Sequence, residues 1–155
     1  MERTNVMRLL DGKKIKYNCY ELEVPSTDGE EIARLVGENP QRVFKTLVTV
    51  GKSGEHYVFD VPVCDSLDLK KAAKAVGEKS IEMIKQKELQ PLTGYVHGGC
   101  SPIGMKKFFR TVFHQTAKDF DTVYFSAGRI GYQVEMNIED LKKIIKFDLA
   151  DITEY

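Results

Sequence analysis

The run RVFKTLVTVGKSGEHYVFDVPV, residues 42–63, decides the fold class of this chain. Its halves, RVFKTLVTV (42–50) and HYVFDVPV (56–63), are rich in β-branched and aromatic residues. GKSGE (51–55) separates them with two glycines, and that pattern predicts a hairpin. Outward from it, YNCYEL (17–22), SIEMI (80–84), GYVHG (94–98), TVFHQ (111–115), DTVYFSA (121–127) and YQVEM (132–136) read as further strands. Helices lie between them. Thr4 caps a short one carrying Val6, Met7, Leu9 and Leu10, with Gly12 as its stop. Asp28 and Glu31 have capping-box spacing and open EEIARLV, which ends at Gly37. Asp68 starts DLKKAAKAV, closed by Gly77, and Asn137 with Asp140 opens IEDLKKIIK. Strands outnumber helices. The expected class is α+β: a curved, mostly antiparallel mixed sheet surrounded by helices, in one domain spanning 1–155.

Composition bounds the function. The 23 basic and 23 acidic residues cancel, so no global positive field advertises nucleic acid, although a local basic patch stays compatible with RNA. The first residues, MERTNVMRLLDGKK, lack the apolar core of a signal peptide, and no run approaches the ~18 apolar residues of a membrane span. Cys19, Cys64 and Cys100 are odd in number and widely spaced, as expected of reduced thiols in the cytoplasm.

The chemistry-bearing stretch is TGYVHGGCSPIGMKK (93–107). From Gly99 the spacing to Gly104 suits a phosphate loop, but Met105 stands where the lysine belongs, and no Ser or Thr follows Lys106. His97 and Cys100 have metal-ligand spacing without a second local pair, so no metal is expected. Cys100 with His97 or His114 is a conceivable nucleophile and base, yet nothing places the cysteine at an elbow or helix start. A packed, inert thiol is the favoured reading. Gly98 and Gly99 either open the backbone to a ligand carbonyl or shape a tight turn before Ser101 and Pro102. Lys45 shares a strand face with Val43 and Leu47; it is either an edge guard or a cation over a pocket. Lysine and arginine cluster at 70–74, 106–110 and 142–146, and the middle group follows the glycine turn directly.

Taken together, Lys45 in FKTLV, the run GYVHGGCSPIGMKK and the late SAGRIGYQVEM (126–136) resemble the YbaK/EbsC family of aminoacyl-tRNA deacylases. The likeness extends to DLKKAAKAVG (68–77) and LADIT (149–153). It implies a fold like the editing domain inserted in bacterial prolyl-tRNA synthetases. It also implies removal of cysteine mischarged onto proline tRNA, with some action on Cys-tRNA(Cys), and no cofactor. By motif, Lys45 matches the family's essential lysine, Gly98-Gly99 its substrate-facing glycine pair, Ser126 its late-strand hydroxyl and Tyr20 an aromatic near the pocket. Thr46, Cys100 and Ser101 join the substrate-binding set beside these positions. Gln133 stands where several members carry an aspartate; the EbsC-like branch also has glutamine there. An amide is no general base at neutral pH, so a mechanism needing a carboxylate at 133 is disfavoured. The resemblance implies substrate-assisted cleavage instead, in which the cysteine thiol attacks its own ester carbonyl as a thiolactone forms. The implied partners are a tRNA acceptor end and a prolyl-tRNA synthetase. A water-using deacylase of Ala-tRNA(Pro) or another small aminoacyl-tRNA, and a non-catalytic RNA-end or nucleotide-binding module, are the rival expectations.

Overall fold

A computed structural model describes residues 1–154. The hairpin at 42–63 forms as expected, with β2 (Phe44–Gly51) and β3 (His56–Pro62) antiparallel and Thr46 opposite Asp60. It is the centre of a five-stranded sheet ordered β4-β2-β3-β5-β8. In that sheet β4 (Ile81–Met83) pairs antiparallel with β2, whereas β5 (Arg110–His114) and β8 (Asp148–Ala150) run parallel. A second sheet has three antiparallel strands in the order β1-β7-β6: β1 (Asn18–Glu21), β7 (Tyr132–Met136) and β6 (Val123–Ser126). The α+β class is as expected, and the curvature takes the form of two ladders joined by a single bridge between Val43 and Tyr124.

Helix signals fared well where a capping side chain was present. The Thr4 hydroxyl accepts the Met7 N–H at 3.3 Å and opens α1 (Asn5–Gly12). Asp28 caps α2 (Gly29–Val36) through Glu30 N–H, and Asp68 caps α3 (Leu69–Val76) through Lys70 and Lys71. Two expectations failed. GYVHG is no strand, because Gly94 at φ 86° ends α4 (Gln86–Thr93) and Gly98 at φ 86° turns the chain again. α4 itself had no readable start, as Lys85 supplies no side-chain cap and Pro91 sits inside the helix. The closing helix is also shorter than expected: α5 spans Ile138–Leu141, and turns follow it.

Four apolar clusters fix these parts. Phe44 and Phe113 on one side of the larger sheet meet Phe125, Val134 and α1's Val6 and Leu10. On the other side Phe59 and Val61 pack on Ala72, Ala73 and Val76 of α3. Ile32 and Ala33 of α2 join Val43, Val63 and Tyr124 where the sheets meet. Val48 and Val58 pack on Cys100, Phe109 and, from α4, Leu89 and Leu92. The last two clusters do not close on each other, and the gap between them is the site.

Candidate active site

A cleft of about 150 Å³ opens there, floored by β2 and walled by α2, the 97–100 loop and the ends of β6 and β7. Of the expected residues it gathers Lys45, Thr46, Gly98, Cys100, Ser126 and Gln133. Lys45 is half-buried and makes no hydrogen bond or ion pair among the described residues; its charge is felt by Cys64. An aliphatic stem in a cleft that Val43 and Leu47 also line, with an ammonium unpaired among the described residues, suits a cation presented to a ligand.

Thr46 Oγ1 hydrogen-bonds Asp60 Oδ1 at 2.5 Å. Asp60 is completely buried, and its Oδ2 has no partner. Burial pushes its carboxyl up to about 8, with the Thr46 bond only partly offsetting the effect. Gln133 is buried, and its Oε1 is likewise unpartnered. Burial, together with the nearby Asp60, pushes the Cys100 thiol up to about 12. The buried Cys100 side chain forms part of the cleft wall.

Three expected residues lie elsewhere. Tyr20 packs on Tyr124, and its hydroxyl donates to Glu135 at 2.8 Å, in a network away from the cleft lining. Ser101 is fully buried and accepts the Ile103 N–H at 3.3 Å. Gly99 donates its N–H to Val96 O at 3.0 Å, so that amide is already used, and it sits tight on the Arg129–Ile130 turn. The two glycines therefore do different work: among the described residues the Gly98 N–H has no partner, and its left-handed backbone lies under Thr27. Thr27, Gly29, Ile32, Phe44, Val63 and Leu89 also line the cleft and were not anticipated. Asp60 was missed too, although a carboxylate inside the apolar run HYVFDVPV was a legible signal. Ser126 accepts Gly128 N–H at 3.1 Å, tying the β6 end into its turn. His97, exposed on the rim, makes no hydrogen bond among the described residues, so no Cys-His or Ser-His pair is assembled. No group of three or more His, Cys, Asp or Glu able to hold a metal occurs among the described residues.

The architecture is shared with known proteins. An aminoacyl-tRNA editing domain model matches residues 23–144, a span that contains every residue of the cleft. The chain belongs to the aminoacyl-tRNA editing domain family. Within that family it is 40% identical over 154 residues to the Enterococcus faecalis (strain ATCC 700802 / V583) protein named "Putative Cys-tRNA(Pro)/Cys-tRNA(Cys) deacylase EbsC", covering 98% of this chain and 94% of that one. Two crystal structures share the fold. The hypothetical protein APE2540 superposes with a TM-score of 0.89 at 21% identity, covering 97% of this chain and 100% of its own. "A putative trans-editing enzyme for prolyl tRNA synthetase" superposes with a TM-score of 0.84 at 24% identity, covering 99% and 100%. Editing domains of this family cleave the ester of an aminoacyl-tRNA, and this chain is an enzyme of that class. No helix among the described residues is long and apolar enough to cross a membrane.

Proposed function

We propose that this chain removes cysteine from mischarged Cys-tRNA(Pro), with Cys-tRNA(Cys) as a second substrate, and that the substrate's own thiol is the nucleophile. The observation that carries this reading is the burial of Cys100: among the described residues no base is bonded to the thiol that lines the cleft, and the Thr46 hydroxyl there meets only the fully buried Asp60 carboxyl. A cysteinyl ester brings a thiol of pKa about 8.5, of which a few per cent is thiolate at neutral pH. That sulfur attacks its own carbonyl carbon and the C–S bond forms. The oxyanion then collapses, the bond to the tRNA 3′ oxygen breaks, and the departing oxygen takes a proton from water. The thiolactone hydrolyses in solution. Holding the two groups together supplies much of the rate.

The cleft residues orient this reaction without entering it. Lys45 steadies the terminal ribose-phosphate or the aminoacyl group, the unpaired Gly98 N–H faces the ester, and Ser126 and Gln133 bound the side-chain space. A cleft of about 150 Å³ excludes large side chains. Among small ones the thiol discriminates, because alanine and proline have none and fit alone separates such side chains poorly. Gln133 cannot deprotonate water, which weighs against a hydrolytic route. A prolyl-tRNA synthetase partner would supply tRNA selection to a chain of zero net charge. Incubation with Cys-, Ser-, Ala- and Pro-charged tRNA(Pro), with and without synthetase, tests the reading. Cys-tRNA(Pro) should be cleared fastest and Ser-tRNA(Pro) poorly; efficient clearance of seryl or alanyl esters would transfer the attack to water.

A further inference from the structure

The proposed route leaves the Thr46–Asp60 pair unused. A carboxyl with no exposure, a single partner and an orphaned second oxygen is a costly arrangement for a strand to keep. We propose that Asp60 is a positioning residue that, through Thr46, presents a hydroxyl donor to the carbonyl oxygen of the aminoacyl ester.

The reasoning is an accounting of protons. Burial keeps the Asp60 carboxyl protonated at neutral pH, so it owns one O–H. Oδ2 has no hydrogen-bond partner among the described residues, so no contact there holds that hydrogen. Placed on Oδ1, it meets Thr46 Oγ1 at 2.5 Å. An ionised Asp60 accepts this bond from the Thr46 hydroxyl; protonated on Oδ1 it donates instead, and the hydroxyl's own hydrogen is released. Thr46 is half-buried, lines the cleft and makes no other hydrogen bond among the described residues, so that hydrogen points to whatever the cleft holds. When the acid ionises the bond reverses: Thr46 must donate inward, and the cleft loses a donor. Cys100 is the titratable neighbour whose charge couples to Asp60, and it stays neutral throughout this range. With the Lys45 ammonium and the Gly98 N–H, the Thr46 hydroxyl completes a set of donors around a developing oxyanion.

This rests on the deacylase reading but not on cysteine, because every aminoacyl ester presents the same carbonyl. The experiment measures kcat and KM across pH with whichever charged tRNA the wild type cleaves. Thr46→Val should lower kcat about 100-fold with KM little changed, as expected for a donor engaged in the transition state. Thr46→Ser should recover most of that loss. Asp60→Leu should cost about tenfold, and Asp60→Asn, whose amide N–H also donates to Thr46, should restore it. The decisive readout is the ratio of wild type to Asp60→Asn, in which the substrate's own titration cancels. It should fall above about pH 8, where only the wild type ionises. A flat ratio, or Thr46→Val with full activity, overturns the inference while leaving the deacylase reading intact. A wild type inactive on every charged tRNA overturns both, and an unfolded Asp60→Leu leaves the Asn ratio and the Thr46 pair to decide.

Discussion

Two polar clusters sit near the junction of the sheets, and they are built on opposite plans. In the first, Arg42 donates to the carbonyl and hydroxyl of Thr122 at 3.1 and 2.6 Å and pairs with Glu38 at 3.3 Å and Glu135 at 3.8 Å. Glu135 in turn accepts from Tyr20 and Thr122, Tyr124 donates to Glu38, and the guanidinium lies over the Phe120 and Tyr124 rings. Burial alone would raise the Glu135 carboxyl; the hydroxyls of Thr122 and Tyr20 and the amide of Asn18 hold it below its usual value. Every charge there has an answer. In the second, Lys45 is unpaired, Asp60 keeps one orphan oxygen and Gln133 keeps another. The closed cluster holds the fold together, whereas the open one has valence left for a ligand.

Substitutions can break that contrast. The largest effect should come from Lys45→Ala: at least 100-fold loss of deacylation, or about 2.7 kcal/mol in the barrier, with the melting temperature nearly unchanged. A large loss of stability there would place Lys45 in the closed class. Arg42→Ala should do the reverse. It should destabilise the fold by about 2 kcal/mol in a urea titration, because Glu38 and Glu135 lose their counter-charge, yet turnover per folded molecule should hold. Next comes the pH dependence of stability. The Asp60 carboxyl is raised, so between its ordinary 3.8 and about 8 the native state binds a proton that the unfolded state has released. Stability from this group therefore falls as pH rises through that window and is lowest above it. Asp60→Asn removes the titration, so its urea midpoint should exceed the wild type's by more at about pH 8.5 than at about pH 5. The smallest effect should be Cys100→Ala, a change of under about threefold in deacylation for a thiol that does not ionise. Loss of all turnover would restore a protein nucleophile.

Much of this was readable in the residues, and the failures have causes. Asp28, Asp68, Gly37 and Gly77 announce α2 and α3 because caps act locally, within a few positions. The hairpin is legible because alternation and turn agree. GYVHG misleads because its aromatic and β-branched residues suit a strand, while its glycines take a left-handed backbone that pattern alone does not reveal. Lys45, Gly98, Ser126 and Gln133 were named by motif, and all four line the cleft. Tyr20 was named the same way as a pocket residue, but it lies outside the cleft lining, and its place in the closed cluster depends on Glu135, 115 positions away. Asp60 carries a signal in its own strand, yet its importance appears only when Thr46 is set opposite it.

Thr27 resting on Gly98 has a consequence for how such a protein can diversify. The cleft residues Lys45 and Thr46 belong to β2, where the ladder to β3 fixes them opposite Val61 and Asp60. The aperture, by contrast, is set by two irregular segments, one before α2 and one after α4, touching through a threonine methyl and a bare glycine. A different residue at position 27 would narrow or widen the doorway without disturbing a single ladder bond. Reaction and admission are thus held on separate pieces of chain, and selection can retune the guest list while the machinery behind it stays the same.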